Sequence, residues 1–316
     1  MKRTAPMAPK RTIIPPPLKP GDCIGLFSPA GPARDPGRVT DGIRLLRDRG
    51  FRVKSSWEPA SRNDYLAASD EVRLNEFHRL WADDEVHALM AIRGGYGCLR
   101  IVGRIDMKVL AKRPKMVIGF SDITVLLNII CQQTGMITIH GPVVTSLARS
   151  DKESVQHFFS LLTGGIPECF KPVQLEILRS GTASGVVRGG NLTTLVHLLG
   201  TPWEIAWDNA LLVLEDTGEA MYRLDRMLTQ LHQAGKLRRL AGLILGTFDP
   251  GNEDTFAKLR LQHQVWERVL ELTEEFAYPV WGCFPVGHGQ RNYSLPIGME
   301  ATMDGVTGHL RFKHVT

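Results

Sequence analysis

Met116-Val117-Ile118-Gly119-Phe120-Ser121-Asp122-Ile123-Thr124 is the stretch that decides how this chain folds. Met116 to Ile118 form a short apolar run, and Val125 to Cys131 form an amphipathic one. A buried strand, a tight turn and a helix therefore follow one another, with Ser121 at the corner. A hydroxyl on such a turn projects from the sheet edge and faces the first N–H groups of the helix. That setting suits a nucleophile whose attack creates an oxyanion. It suits a helix cap equally, because Ser, Asp and Thr are ordinary N-capping residues. On this segment alone both readings stand.

The segments upstream repeat the same alternation. Asp22 to Ser28 reads as a buried strand, with Pro29-Ala30-Gly31-Pro32 as the loop after it. Residues 37–49 carry helical periodicity through Val39, Ile43, Leu45 and Leu46, and Phe51-Arg52-Val53 reads as the next strand. An amphipathic helix is expected over 69–82, and Val86 to Ala91 is a strand that runs straight into Arg93-Gly94-Gly95-Tyr96-Gly97. This alternation predicts an α/β domain built on a doubly wound parallel sheet. Ligands of such sheets bind outside the carboxyl ends of the strands, where both glycine-bearing loops lie.

Residues 164–190 are rich in turn formers, and a domain boundary is expected there. The division is a flexible basic tail over 1–17, an N-terminal α/β domain over 18–165 and a C-terminal domain over 180–316. Within the last, a short helix follows Gly189-Gly190-Asn191, and Ala210 to Leu214 is a strong strand. A long helix over about 220–234, a strand from Leu240 to Leu245 and a helix near 257–275 come next. Thr302 to Leu310 reads as a terminal β-hairpin.

Composition narrows the function classes. The 316 residues are 43% hydrophobic and 22% charged, as in ordinary globular chains. The net charge of +5 owes much to Lys2, Arg3, Lys10, Arg11 and Lys19, and the remaining basic residues are interleaved with acids. Without a basic stripe, a nucleic-acid partner is not indicated. Five scattered cysteines with no C-x-x-C pair indicate neither a disulfide framework nor a structural zinc site. Reduced thiols in a cytoplasmic protein are the simplest account. No apolar run approaches a membrane span, and the basic N-terminus lacks a secretory h-region, so no membrane association is expected. Ten histidines include no H-E-x-x-H, and neither dinucleotide nor P-loop fingerprints occur, so no metal and no cofactor is expected.

Three further constellations could carry chemistry. Arg93-Gly94-Gly95-Tyr96-Gly97 is either a plain turn or an oxyanion cradle of amides, with Arg93 available for a substrate carboxylate. Leu211 to Leu214 deliver Glu215 and Asp216 to a strand end, where a carboxylate can orient a histidine or simply pair with Arg223 or Arg226. Glu219 is a second candidate in the same loop. Phe284-Pro285-Val286-Gly287-His288-Gly289 sets His288 between two glycines, which suits access to a cleft more than burial; a structural histidine is the other reading.

Taken together and in order, these segments resemble the LD-carboxypeptidase family, serine peptidases that include murein tetrapeptide carboxypeptidases and microcin C self-immunity peptidases. The resemblance runs through Leu18-Lys19-Pro20-Gly21-Asp22, Arg93 to Gly97, Gly119 to Thr124, Gly189-Gly190-Asn191-Leu192, Leu214-Glu215-Asp216 and Gly287-His288-Gly289. It implies Ser121 as nucleophile, His288 as general base and acid, and Glu215 as the orienting carboxylate. The oxyanion hole maps to the backbone amides of Gly95 and Asp122, and Arg93 and Gly94 to the substrate side. It also implies a Rossmann-like N-terminal domain, a smaller β-rich C-terminal domain and a homodimer. The activity implied is metal-free hydrolysis of the amide between an L-centre and a terminal D-amino acid, as in release of D-alanine from murein tetrapeptide. A peptidase that detoxifies a microcin-type peptide–nucleotide, and a catalytically silent small-ligand binding protein, are the alternatives. Ser28-Pro29-Ala30-Gly31 departs from the Pro-Ser found in many members.

Overall fold

The computed structural model describes residues 11–58, 64–251 and 254–313. Its first half alternates as the apolar runs require: β1 (Cys23–Phe27), α1 (Pro36–Asp48), β2 (Arg52–Ser55), α2 (Asp70–Ala82) and β3 (Val86–Ala91). Two short helices, α3 (Cys98–Ile101) and α4 (Met107–Lys112), precede β4 (Met116–Gly119). Then come α5 (Thr124–Thr134), β5 (Thr138–His140), α6 (Val144–Leu147) and α7 (Lys152–Gly164). Local chemistry sets these limits. Asp35 caps α1 by accepting from the Arg38 N–H, with Pro36 in the first turn, and Ser69 caps α2 by accepting from Val72. α5 ends at Gly135, whose φ of 79° is the left-handed stop that glycine permits.

The second half opens with β6 (Cys169–Phe170), β7 (Glu176–Arg179) and the long β8 (Thr182–Asn191). It continues through α8 (Leu192–Val196), β9 (Ala210–Thr217), α9 (Met221–Gln233), β10 (Gly242–Asp249) and α10 (Thr255–Leu272). The chain closes with β11 (Val280–Gly282), β12 (Leu295–Ile297), β13 (Glu300–Asp304) and β14 (His309–Phe312). The expected helix after Asn191 and the terminal hairpin are both present, with Asn191 itself capping α8.

Among the described residues the strands form two sheets. The first has the order β12-β5-β4-β3-β1-β2, with β1 to β5 mutually parallel. The second has the order β6-β14-β13-β8-β9-β10-β11-β7, a parallel centre from β8 to β11 flanked by antiparallel strands. The fold is therefore mixed α/β, and the β-rich second sheet has eight strands to the first sheet's six. One strand crosses over. β12, from the last part of the chain, adds antiparallel to β5, and Pro296 is tolerated there because an edge strand has only one partner.

The flexible tail expected over 1–17 is corrected in part. Residues 1–10 lie outside the described residues, but Ile13 is paired. Its N–H donates to Gly135 O at 2.9 Å, and its carbonyl accepts from Ile137 at 2.8 Å, so this segment is fastened beside α5 and β5.

Apolar contact joins the two halves. One buried cluster contains Phe27, Phe77, Leu89 and Ile123 together with Leu212, Leu214 and Phe248. A second contains Ile24 and Met90 together with Val187, Val213 and Met303. Register across this apolar seam comes from polar bonds on α5. Asn128, fully buried, clamps one residue of β8: its Nδ2 donates to Gly189 O at 2.9 Å, and its Oδ1 accepts from Gly189 N–H at 3.0 Å. Nearby, Thr124 Oγ1 accepts from the Asn191 N–H at 3.1 Å. The helix that follows Ser121 is thereby fixed to β8, and β8 pairs with β9 so that Asn191 lies opposite Glu215.

Asn128→Ala should leave two buried backbone groups unpaired and lower the unfolding free energy by about 2–4 kcal/mol. Chemical denaturation measures this; a change within a few tenths of a kcal/mol would mean the clamp holds nothing.

Candidate active site

The corner at Ser121 is more strained than a capping serine would be. Ser121 adopts φ 64°, in the left-handed region that non-glycine residues rarely enter. It is the first residue of a single 3₁₀ turn over Ser121–Ile123, with Phe120 and not Ser121 at the capping position, so the cap reading is set aside. Strain of this kind costs about 1–3 kcal/mol and is retained where surrounding structure enforces it. Gly94 makes room beside this corner. A Cβ added at Gly94 would lie 2.8 Å from Ser121 Cβ and 2.9 Å from its Oγ, so only glycine lets the two loops approach.

The neighbouring Asp122 joins the same two loops. Its buried carboxylate accepts from the Cys98 N–H at 2.8 Å, at the start of α3. Burial pushes its pKa up, with the Cys98 and Gly97 amides opposing. Among the described residues the backbone N–H groups of Gly95 and Asp122 have no acceptor, and they lie on the two loops that meet at Ser121.

Glu215 comes from β9 of the second sheet, and His288 from the loop that leads from β11 of that sheet to β12 of the first. Glu215 is fully buried at the end of β9, and its Oε2 meets His288 Nδ1 at 2.6 Å. That bond places hydrogen on Nδ1 and leaves Nε2 as the free basic atom. Gly287 permits it, because a Cβ there would stand 2.8 Å from both Cβ and Oε2 of Glu215. Glu215 does not pair with Arg223 or Arg226. Arg223 reaches Glu219 instead, at 3.4 Å, and Arg226 lies over the Tyr222 ring.

Ionisation follows from this geometry. Burial works to lower the His288 pKa, but the charge and hydrogen bond of Glu215 outweigh it, with Asp216 and Asp249 adding, and the net shift is upward. For Glu215 burial works upward, and the charge and bond of His288 bring the carboxyl below its ordinary range. Asp216 is occupied structurally: it accepts from Asn191 Nδ2 at 3.1 Å and from the Thr193 N–H, the Thr193 hydroxyl and the Thr217 N–H at 2.8 Å each.

These groups meet in one cavity of about 540 Å³, the size of a small-peptide or metabolite site. Ser121, His288, Gly94, Gly95 and Arg93 line it, and Glu219 stands at its wall. The ring of Phe120, next to Ser121, lies 4.6 Å from the His288 ring and packs the imidazole against the corner. Arg93 donates to Pro32 O at 3.2 Å and has no carboxylate partner among the described residues. Every residue named from the sequence thus lies in this cavity or directly behind it. Sequence reading named Asp216 beside Glu215 and Phe120 within the Ser121 motif without a role of its own for either; it missed Asn128, whose signal is a lone amide inside the apolar run of α5.

A strained serine at a strand–helix corner, with a buried carboxylate–histidine pair in the same cavity, is the arrangement of a hydrolytic site. Comparison with known proteins agrees. Residues 24–141 match the family model described as LD-carboxypeptidase N-terminal domain, and residues 184–303 match the LD-carboxypeptidase C-terminal domain. The murein tetrapeptide carboxypeptidase of Pseudomonas aeruginosa is 34% identical over 295 residues, 89% of this chain and 93% of that one. The microcin C7 self-immunity protein MccF of Escherichia coli is 26% identical over 322 residues, 91% of this chain and 92% of that one. The crystal structure of muramoyltetrapeptide carboxypeptidase from Oxalobacter formigenes superposes with a TM-score of 0.77 at 27% identity, covering 92% and 97% of the two chains. This chain belongs to the LD-carboxypeptidase family of peptidases.

Glu215→Gln should lower the His288 imidazole pKa below its wild-type value, because burial, which favours the neutral ring, is then unopposed by the carboxylate. Titration of the histidine ring protons by NMR reads this directly. An unmoved pKa would separate Glu215 from His288 electrostatically.

Proposed function

We propose that this chain is a serine LD-carboxypeptidase that releases terminal D-alanine from murein tetrapeptide in cytoplasmic cell-wall recycling, without a metal. The observation that carries the reading is the 2.6 Å bond between His288 Nδ1 and Glu215 Oε2, in the cavity that also holds the strained Ser121. On this reading residues 18–165 supply the nucleophile, and residues 180–316 supply its activators. The names of the Pseudomonas and Oxalobacter relatives support the choice of substrate.

In the first half-reaction Ser121 Oγ attacks the carbonyl carbon of the L-centre, and His288 Nε2 takes the hydroxyl proton. The oxygen that becomes an anion is received by the amides of Gly95 and Asp122; one such donor is typically worth about 2.7–4 kcal/mol. The tetrahedral intermediate collapses, the C–N bond breaks, and His288 returns the proton to the departing amine of D-alanine. Water, deprotonated by His288, then attacks the acyl-serine, and the proton passes back to Ser121. Glu215 stabilises the imidazolium in both halves. Arg93 pairs with the terminal carboxylate, which is what limits the enzyme to a carboxyl-terminal residue.

Incubating the protein with murein tetrapeptide in EDTA, and following free D-alanine and tripeptide by mass spectrometry, tests the reading. We expect release that Ser121→Ala abolishes without unfolding the protein. No release from tetrapeptide, with cleavage of a microcin-type peptide–nucleotide, would move the chain to the other activity. No turnover of either would make it a binding protein.

A further inference from the structure

Behind the catalytic pair lies a group of buried polar atoms that have no partner among the described residues. They are both ring nitrogens of His140, Oε1 of Glu215, Nδ2 of Asn292 and Oγ of Ser294. Contacts place them in one neighbourhood. Asn292 Oδ1 accepts from the Gly287 N–H at 3.1 Å, and Gly287 abuts Glu215. Ser294 Oγ lies 2.6 Å from where a Cβ on Gly141 would stand, next in the chain to His140. β8 closes the third side: a Cβ on Gly190 would lie 3.2 Å from His140 Nδ1, and the following residue, Asn191, pairs with Glu215. The Phe120 ring is 6.1 Å from that of His140 and 4.6 Å from that of His288.

His140 is fully buried, and burial holds its pKa down to about 4, so its ring is neutral at working pH and carries one N–H donor and one acceptor. Glu215 is equally buried; His288 donates to Oε2 and the Asn191 amide also acts on the carboxylate, yet Oε1 has no partner among the described residues. A buried carboxylate stays ionised when both oxygens are hydrogen-bonded.

We propose that His140 is a positioning residue for the catalytic pair: its ring N–H satisfies Glu215 Oε1 through one bridging water that Asn292 and Ser294 help to hold. The inference rests on the reading of Glu215 and His288 as the triad pair. Such a water takes two to four polar partners, which these groups supply. The donated hydrogen bond matters most when His288 is neutral, because an imidazolium already answers the carboxylate's charge. His140 therefore favours neutral His288, the form that acts as base. Glu215, Asp216 and Asp249 pull His288 the other way, and the groups that act on His140 are Glu215 and His288.

His140→Phe, which removes donor and acceptor, should raise the His288 pKa by about one unit and shift the acidic limb of kcat/KM upward equally. At neutral pH kcat should fall roughly 10-fold, the scale of one hydrogen bond to a charged group, with KM unchanged. His140→Gln keeps a donor and an acceptor and should restore most of both values. Ring-proton NMR of His288 needs no substrate, so it stands apart from the serine reading, which Ser121→Ala turnover decides. In the wild-type protein the His140 N–H should be protected from exchange, and its ring should stay neutral through pH 5. An unmoved His288 pKa in His140→Phe, equal loss in the Gln variant, or a His140 ring that titrates near its ordinary 6.5 would each overturn the proposal.

Discussion

The Asn128 side chain and the backbone N–H and C=O of Gly189 exchange two hydrogen bonds across the seam between the sheets, and the site's geometry depends on that exchange. Ser121 is fixed to α5, and Glu215 to β9 through its pairing with β8. The apolar clusters that join the halves supply most of the attraction, but apolar contact is non-directional and tolerates sliding. A buried amide that must satisfy a peptide N–H and a peptide carbonyl at once does not tolerate it. Thr124 Oγ1, accepting from Asn191, repeats the constraint one helical turn nearer the serine.

From this fixed frame the site is assembled by close approach. Gly94 lets one loop reach Ser121, and Gly287 lets His288 reach Glu215. The left-handed backbone of Ser121 belongs to the same logic. The corner keeps an unfavourable backbone conformation, and on the proposed reading its hydroxyl is fixed before substrate arrives. Burial then sets the electrostatics. Glu215 is deep enough for its attraction to His288 to outweigh the imidazole's own desolvation, and the result is a histidine whose pKa lies above its ordinary value.

The sequence made the parallel sheet legible because buried strands such as Val86–Ala91 and Met116–Gly119 are continuous apolar runs between amphipathic helices. His288 was legible through its flanking glycines. Pattern favoured Glu215 over Glu219 only by its place at the strand end, since both follow the same apolar run. Their separation is a matter of where the chain leaves the sheet: Thr217 ends β9, Gly218 turns with φ 78°, and Glu219 is carried outward to Arg223. β12 was invisible because three residues containing a proline carry no strand signal, and their partner β5 lies more than 150 residues away. Ile13 was hidden likewise by its proline-rich surroundings. The positive φ of Ser121 leaves no trace in the local sequence pattern.

On the proposed reading Ser121, just after β4, and His288, on the loop between β11 and β12, act as a single unit. Kinetics of Ser121→Ala, His288→Ala and the double variant on murein tetrapeptide test it most directly. If the two residues work together, each single change should cost roughly 10⁴-fold or more in kcat, and the double variant should be no worse than the singles within a few-fold. Losses that multiply in the double variant, or substantial turnover without Ser121, would contradict it.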